Sequence, residues 1–339
     1  MAAPDKFRGT ATASAAAAAI GRAGGARGWT VVEVPLSDGG EGLIDALAPL
    51  GGTVEHVPVT GPLGSPVTAR WLRHGDRAVV EMAEASGLSQ VGGAAGNRPV
   101  EATTFGTGEL LVVAARAVGP GGTVVVGLGG SATTDGGAGA LEAIDRAGGL
   151  GGVTLVGACD VEVGFLDAAA RFAPQKGADP GQVTLLEGRL RDLAAGYLAR
   201  SGTDVRPVPG AGAAGGLGGA LVVLGGALRS GYRMVADLVG LRSHLGGADL
   251  VVTGEGALDA TSFDGKVVGG VLGDAGELGI PTLVVVGRAA DDGTALAAGA
   301  GAPVVSLRRE FGGERAVADA LTCIEAATGA WLDRTGLAT

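Results

Sequence analysis

The stretch Thr123–Gly139, TVVVGLGGSATTDGGAG, decides the architecture. Its first four residues are β-branched, a glycine-rich turn follows, and an apolar helical pattern through Leu141 and Ile144 comes next. A Val-rich run bounded by glycine predicts a strand buried on both faces. Strand, turn and helix in that order are the repeating unit of a parallel sheet. Working outward, the same signature predicts strands at 31–36, 77–82, 153–158, 250–253, 282–286 and 304–307. Between them, Ala/Leu/Arg segments predict helices at 11–22, 107–118, 137–148, 183–200, 216–229, 232–245, 266–278 and 313–333. Alternating strands and helices mean a three-layer α/β fold. The segment 53–82 differs. It carries Pro58, Gly61-Pro62 and Gly64-Ser65-Pro66, and its strands alternate in polarity. That marks a crossing into a second domain with a partly antiparallel edge. The expectation is a Rossmann-like α/β domain with a three-layer parallel sheet, made discontinuously from 1–60 plus 246–339. An α/β domain with a mixed sheet, 61–245, is inserted into it.

At 339 residues the chain is long for one core and comfortable for two. Its 67 glycines alternate with Val/Leu runs and form no low-complexity repeat, so they read as punctuation between elements rather than as disorder. No run of ~20 apolar residues predicts a membrane span, and no signal-peptide pattern opens the chain. A cytoplasmic protein that binds no membrane is the plain expectation. The net charge of −10 argues against a nucleic-acid surface. Cys159 and Cys323 lie far apart, and His56, His74 and His244 fall in no metal or triad pattern. Zinc hydrolysis and Ser–His chemistry are therefore disfavoured. Oligomeric state is not legible; a homodimer stays open.

Of 25 basic residues only three are lysine, Lys6, Lys176 and Lys266, in a chain whose composition otherwise favours arginine. Each sits in a small-residue turn: APDKFRG, APQKGADPG and SFDGKVVGG. Lysines retained in such places read as phosphate or substrate contacts, where a compact ammonium differs from a guanidinium fork; chance is the competing reading.

The turn after Thr123–Gly127 would point backbone N–H groups from Gly129, Gly130 and Gly136 at one spot, which attracts phosphate. Ser131, Thr133 and Thr134 add hydroxyls, and Asp135 adds a carboxylate able to bind Mg²⁺ or accept a proton. The bland alternative, a tight turn capped by Ser, Thr and Asp, is equally good on the residues alone. Gly127-x-Gly129-x-x-Ala132 and Gly210-x-Gly212-x-x-Gly215 fit the dinucleotide fingerprint weakly, and neither has the acidic residue that should follow. Lys266 is preceded by Gly but followed by Val, so no ordinary P-loop exists. Carboxylates also follow strands: Asp38 and Glu41 after 31–36, Asp160 after 153–158, Glu255 and Asp259 after 250–253. Ligands of open parallel sheets bind beyond such strand ends. Cations and amides on phosphates, carboxylates on Mg²⁺ and one carboxylate for a hydroxyl proton make a phosphoryl-transfer kit. Glu81 and Glu84 in VEMAEASGL either cap a helix or face substrate.

Ten ordered motifs carry a resemblance that runs through most of the chain: APDKFRGTATA, PLSDGGEG, VEMAEASGL, ATTFGTGEL, GLGGSATTDGGAGAL, ACDV, PQKGA, PGAGAAGGLGGAL, ADLVVTGEGALD and DGK. With these the sequence resembles the class I glycerate kinase family. The resemblance implies transfer of the ATP γ-phosphate to a hydroxyl of D-glycerate with Mg²⁺, and two α/β domains with the active site in a cleft between them. It carries Asp5, Lys6, Asp38, Glu41, Glu81, Glu84, Ser86, Ser131, Thr133, Asp135, Asp160, Gln175, Lys176, Glu255, Asp259 and Lys266 over as motif positions. The roles expected on that basis are as follows. Lys6, Lys176 and Asp135 join Asp38, the base that orients or deprotonates the glycerate hydroxyl, as catalytic residues. Asp5, Arg8, Glu81, Glu84, Ser86, Asp259 and Lys266 hold substrate, with Arg8 on its carboxylate. Gly129, Gly130, Ser131, Thr133, Gly136, Gly212 and Gly215 cradle nucleotide, and Asp160 or Glu255 binds Mg²⁺.

Three departures bear on this expectation. Only Met1-Ala2 precede Ala3 where the family opens with an apolar strand, so either the start lies upstream or the sheet lacks the strand that aims Asp5 and Lys6. Ala257 stands where the family has an arginine, and Thr261 where it has a glutamine. After Asp160-Val161 the chain reads EVGFLDAAARF instead of a Pro-Leu-Leu-Gly-like turn. The competing readings are a kinase for another small hydroxy acid and a catalytically weak ligand-binding relative. An NAD-dependent dehydrogenase is more distant.

Overall fold

The protein is seen as a computed structural model in which residues 1–335 are described; the last four residues of the expected 246–339 region lie outside them. Contacts divide the chain into two compact units. One comprises Met1–Asp38, Asp45–Pro49 and Tyr232–Thr339, the other Gly39–Ile44 and Leu50–Gly231.

The second unit is built on a six-stranded sheet in sequence order: β1 (Thr53–Thr60), β2 (Pro66–His74), β3 (Arg77–Glu81), β4 (Thr123–Gly127), β5 (Thr154–Ala158) and β6 (Ala227–Arg229). β1–β2 and β2–β3 are antiparallel, and β3 to β6 run parallel, so the sheet is mixed. β1 pairs through all eight positions with β2, across a turn in which Gly61 N–H donates to the Ser65 carbonyl. It therefore belongs to this unit, and the boundary expected at residue 60 falls inside a hairpin. The core gathers Trp71, Val80, Leu110, Leu111, Val124, Val126 and Ile144. The helix expected at 216–229 ends at Val223, and the segment Ala213–Val223 is broken by left-handed backbone at Ala214, Gly215 and Gly216 before its helical part begins. Its last turn closes as Gly225 and Gly226 donate to Val222 and Leu221 carbonyls, with Gly225 at φ 82°. A left-handed glycine at that place stops a helix, and residues 227–229 emerge to pair with β5.

The first unit carries three parallel strands, β7 (Val251–Leu258), β8 (Thr282–Ala289) and β9 (Val304–Ser306). Alternate residues of β8 explain its unbroken Val run. Leu283 and Val285 enter one apolar cluster with Ile20 and Ile324, while Val284 and Val286 enter another with Val268 and Leu272. Two extended stretches prolong the sheet. Ala2 forms parallel bridges with both Glu33 and Val252. Ala3 and Asp5 N–H donate to Val252 and Gly254 carbonyls, and Val34 and Leu36 N–H donate to Ala2 and Pro4 carbonyls. The strand expected at 31–36 is thus a partial ladder. Residues 1–5 lie between 32–36 and β7. In chain order the five stretches are arranged second, first, third, fourth, fifth, so the order reverses between residues 1–5 and β7. The helix expected at 232–245 breaks at Gly240 (φ 66°), and the one at 313–333 breaks at Asp319. Among the described residues no helix is long and apolar enough to cross a membrane.

Candidate active site

In the first unit a cavity of 510 Å³ opens beyond the carboxyl ends of the parallel stretches. Each stretch delivers a polar side chain to it. The stretch 1–5 leads into Asp5 and Lys6, the stretch 32–36 into Asp38, β7 brings Glu255, β8 brings Arg288, and the helix Leu307–Phe311 after β9 brings Arg308. The point where strand order reverses is where such sheets bind ligands, and Lys6 and Glu255 flank it. Lys6 Nζ lies 3.4 Å from Asp38 Oδ1 and 3.6 Å from Asp5 Oδ1. Burial works against the Lys6 charge, but Asp5 and Asp38 outweigh it and hold the ammonium above its ordinary range. Burial pushes the Asp5 carboxyl up to about 7, with Lys6 opposing and Asp38 and Glu255 reinforcing.

Glu255 is raised to about 7 as well, by burial first, with a hydrogen bond from Ser262 opposing. Its Oε1 is buried without a hydrogen-bond partner. A buried carboxylate oxygen left unsatisfied is costly unless a ligand or ion completes it. At the rim, Asp259 Oδ1 accepts from Thr261 N–H (2.9 Å) and Oγ1 (2.6 Å), which holds it below the usual carboxylate range. Lys266 Nζ donates to Thr261 Oγ1 at 3.0 Å. Thr261, one of the departures, is thus the link between two expected site residues. Arg8 also lines the cavity and is exposed.

In the second unit the turn after β4 has a different character. One Asp135 oxygen accepts from Thr104 N–H and Oγ1, both at 2.8 Å, and from Gly139 N–H; the other accepts from Gly137 N–H. The start of the helix Ala138–Arg146 is therefore capped by the chain's own carboxylate, which is the bland reading of that motif. Lys176 is 3% exposed and donates to Ser131 Oγ (2.8 Å) and the Thr133 carbonyl (2.6 Å). Burial drives its ammonium down to about 7 against the pull of Asp135. Thr133 and Thr134 hydroxyls are buried beside it without partners. Gly215 (φ 69°) presses on this turn so closely that a Cβ would collide with the Thr133 carbonyl, and Ala214 before it is held at φ 53°. Strain of this kind in a non-glycine residue persists only where packing enforces it. Gly212 likewise abuts the Gly164 carbonyl, Gly129 the Gly40 backbone, and Gly136 the side chains of Leu193 and Phe165.

Several expected contacts have other partners. Glu81 is buried, and its two oxygens accept from Gly42 N–H (3.0 Å) and Ile44 N–H (2.8 Å). Glu84 is bound by the Arg70 guanidinium and backbone N–H. Ser86 is fully buried against Thr107. Each of these three is thus engaged by the chain's own groups. Asp160 accepts from Gly231 N–H and lies in the other unit from Glu255, the second expected metal ligand. Among the described residues no group of three or more His, Cys, Asp or Glu side chains could hold a metal ion. Arg288 and Arg308 went unnoticed in the sequence, where two arginines among 22 carry no local signal.

Residues 1–147 and 146–332 match the model of the Glycerate kinase family. The chain is similar to a glycerate 2-kinase of Escherichia coli K12, at 38% identity over 86% of this chain and 85% of that one. It is also similar to a glycerate kinase of Bacillus subtilis 168, at 37% identity over 87% and 86%. A solved structure from Salmonella typhimurium LT2, assigned as a glycerate kinase 2, superimposes with a TM-score of 0.77. It shares 31% identity and covers 99% of this chain and 97% of that one. The chain belongs to the glycerate kinase family, whose members are kinases of two α/β domains.

Proposed function

We propose that the protein phosphorylates D-glycerate with ATP, at the cavity of the first unit. The observation that carries this reading is Lys6 held between Asp5 and Asp38 at the strand-order reversal, beside a buried Glu255 oxygen without a partner. A fixed ammonium among carboxylates suits a reaction in which negative charge passes between phosphate oxygens. In the proposed step the glycerate hydroxyl oxygen attacks the γ-phosphorus, the bond from that phosphorus to the β-phosphate oxygen breaks, and ADP departs. The hydroxyl proton passes to Asp38, and the Lys6 charge stabilises the transferring group. Ser131, Thr133 and Lys176, with Gly129 and Gly130, are proposed contacts of nucleotide phosphate. The orphaned Thr133 hydroxyl supports this assignment.

Mg²⁺ fits the carboxylate-rich end of the cavity. Such ions take one or two protein carboxylates and complete their shell with water and substrate phosphates, and Glu255, whose buried Oε1 has no partner, would hold it. When bound it would neutralise charge on the phosphates. The name of the Escherichia coli relative supports 2-phosphoglycerate, rather than the 3-phosphate, as product. The cytoplasm is the proposed compartment.

The test is ADP release with Mg·ATP and D-glycerate, run beside L-glycerate, tartronate and glycolate, with NMR of the product. Turnover selective for D-glycerate is expected. Silence with D-glycerate and turnover of another acid would move the activity to a different acceptor, and binding without turnover would favour a ligand-binding role. In the same assay Asp38→Asn is expected to lower turnover by roughly 10²–10⁴-fold, the usual contribution of a general base; a fall below ~10-fold removes Asp38 from that role.

A further inference from the structure

An acceptor acid brings a negative charge into a cavity whose floor is already acidic. Of the cations there, Lys6 faces two carboxylates, and Lys266 donates to Thr261. Among the described residues the guanidiniums of Arg8, Arg288 and Arg308 make neither an ion pair nor a hydrogen bond, and of the three it is Arg288 whose charge Asp259 feels. Elsewhere, Arg27, Arg70, Arg200 and Arg233 are each clasped by a carboxylate. An arginine has five donors in a fork that matches a carboxylate, and a bidentate pair is the strongest arrangement those donors can reach.

The register of the sheet adds a second observation. Ala257 on β7 and Arg288 on β8 are direct partners in the parallel ladder. Their side chains therefore leave the same face of the sheet, roughly 4.8 Å apart. Both positions line the cavity, two residues along β7 from Glu255. Arg8 sits in the Phe7–Ala11 turn and Arg308 in the short helix Leu307–Phe311, whereas Arg288 rises from the long strand β8, which holds a binding group more rigidly.

We propose that the Arg288 guanidinium binds the carboxylate of the hydroxy-acid acceptor, reaching from β8 the place that an arginine at 257 would reach from β7. This rests on the kinase reading above and assigns to this chain a specificity residue on a neighbouring strand. The two positions are then interchangeable in one defined sense: a guanidinium is needed at one of them, and either serves.

The experiment compares wild type with Arg288→Ala, Arg288→Gln, Arg288→Lys and the double variant Ala257→Arg/Arg288→Ala. It measures KM for D-glycerate and for ATP separately, together with calorimetric binding of D-glycerate in the presence of a non-hydrolysable ATP analogue. Arg288→Ala and Arg288→Gln are expected to raise KM for D-glycerate on the order of ten- to a hundred-fold, the range for a lost charge-assisted contact. KM for ATP should stay within about twofold, Arg288→Lys should recover part of the loss, and Ala257→Arg should recover most of it. An unchanged KM for D-glycerate, a rise confined to ATP, or a double variant no better than Arg288→Ala overturns the proposal. Wild type that turns over no D-glycerate defeats the kinase reading instead. The calorimetric arm still reads Arg288, and equal D-glycerate binding by wild type and Arg288→Ala defeats this inference separately.

Discussion

Lys6 is half-buried and Lys176 buried, one in each unit, and their surroundings drive them in opposite directions. Lys6 has Asp38 at 3.4 Å and Asp5 at 3.6 Å, and its charge is reinforced. Lys176 has only the neutral oxygens of Ser131 and Thr133 in contact, and its ammonium falls to about 7. Asp135 could have played the part that Asp38 plays, but its oxygens accept four hydrogen bonds from Thr104, Gly137 and Gly139. Burial depth is thus a poor guide to the charge of a lysine; the number of carboxylates left to face it decides. One site holds its lysine above the ordinary range, and the other lowers it to about 7.

The comparison breaks first at Lys6. Lys6→Gln is expected to reduce kcat by about 10²–10³-fold, as when a group aimed at developing charge is removed. A loss smaller than tenfold would mean that Asp5 and Asp38 hold Lys6 only for structure. At Lys176 the measurement is stability against pH. Its folded-state pKa lies below the unfolded value of 10.5, so the unfolded chain binds more protons between about 7 and 10.5. Stability from this group therefore rises with pH across that window, and its cost is complete below it. Lys176→Met should remove a gain of about 3 kcal/mol between pH 7 and 9.5, read by urea unfolding of both proteins. Equal slopes for the two would show that Lys176 is not desolvated in solution.

The smallest effect concerns Glu81. Glu81→Gln replaces a carboxylate that accepts two backbone N–H groups. It should cost roughly 1–2 kcal/mol of stability while leaving KM for D-glycerate within about twofold. A large KM change with stability intact would restore Glu81 to the substrate side.

Where local pattern and tertiary setting agree, the chain is legible. The Val run at 123–127 is a strand because both its faces are buried, and 183–200 lies within the helix Pro180–Ser201, opened by Asp179 and Pro180. The run 216–229 misleads because Gly and Ala suit a helix, a turn and a short edge strand alike, and only pairing with β5 selects among them. The site follows the same logic. Lys6, Asp38 and Glu255 are visible because each closes a strand-end motif. Glu81 and Glu84 carry equally suggestive motifs, but whether a carboxylate meets a backbone amide or a ligand depends on which loop crosses it. Arg288 is invisible for the converse reason, since its relation to Ala257 exists only across two hydrogen-bonded strands.

Residues 1–5 lie inside the sheet of the first unit, and the Met1 amino group donates to the Leu250 carbonyl across a separation of 249 residues. During synthesis the segment that carries Asp5 and Lys6 emerges long before its partner β7. The ribosome adds roughly 5–20 residues per second, so this segment waits well over ten seconds with one edge unpaired. The second unit, whose strands follow one another in sequence order, can fold in that interval. Closing contacts of such long range is slow, so this end of the sheet is expected to assemble among the last parts of the molecule. A slow phase in recovered kinase activity, trailing the recovery of secondary structure, is the kinetic mark of a molecule that finishes folding at its active site.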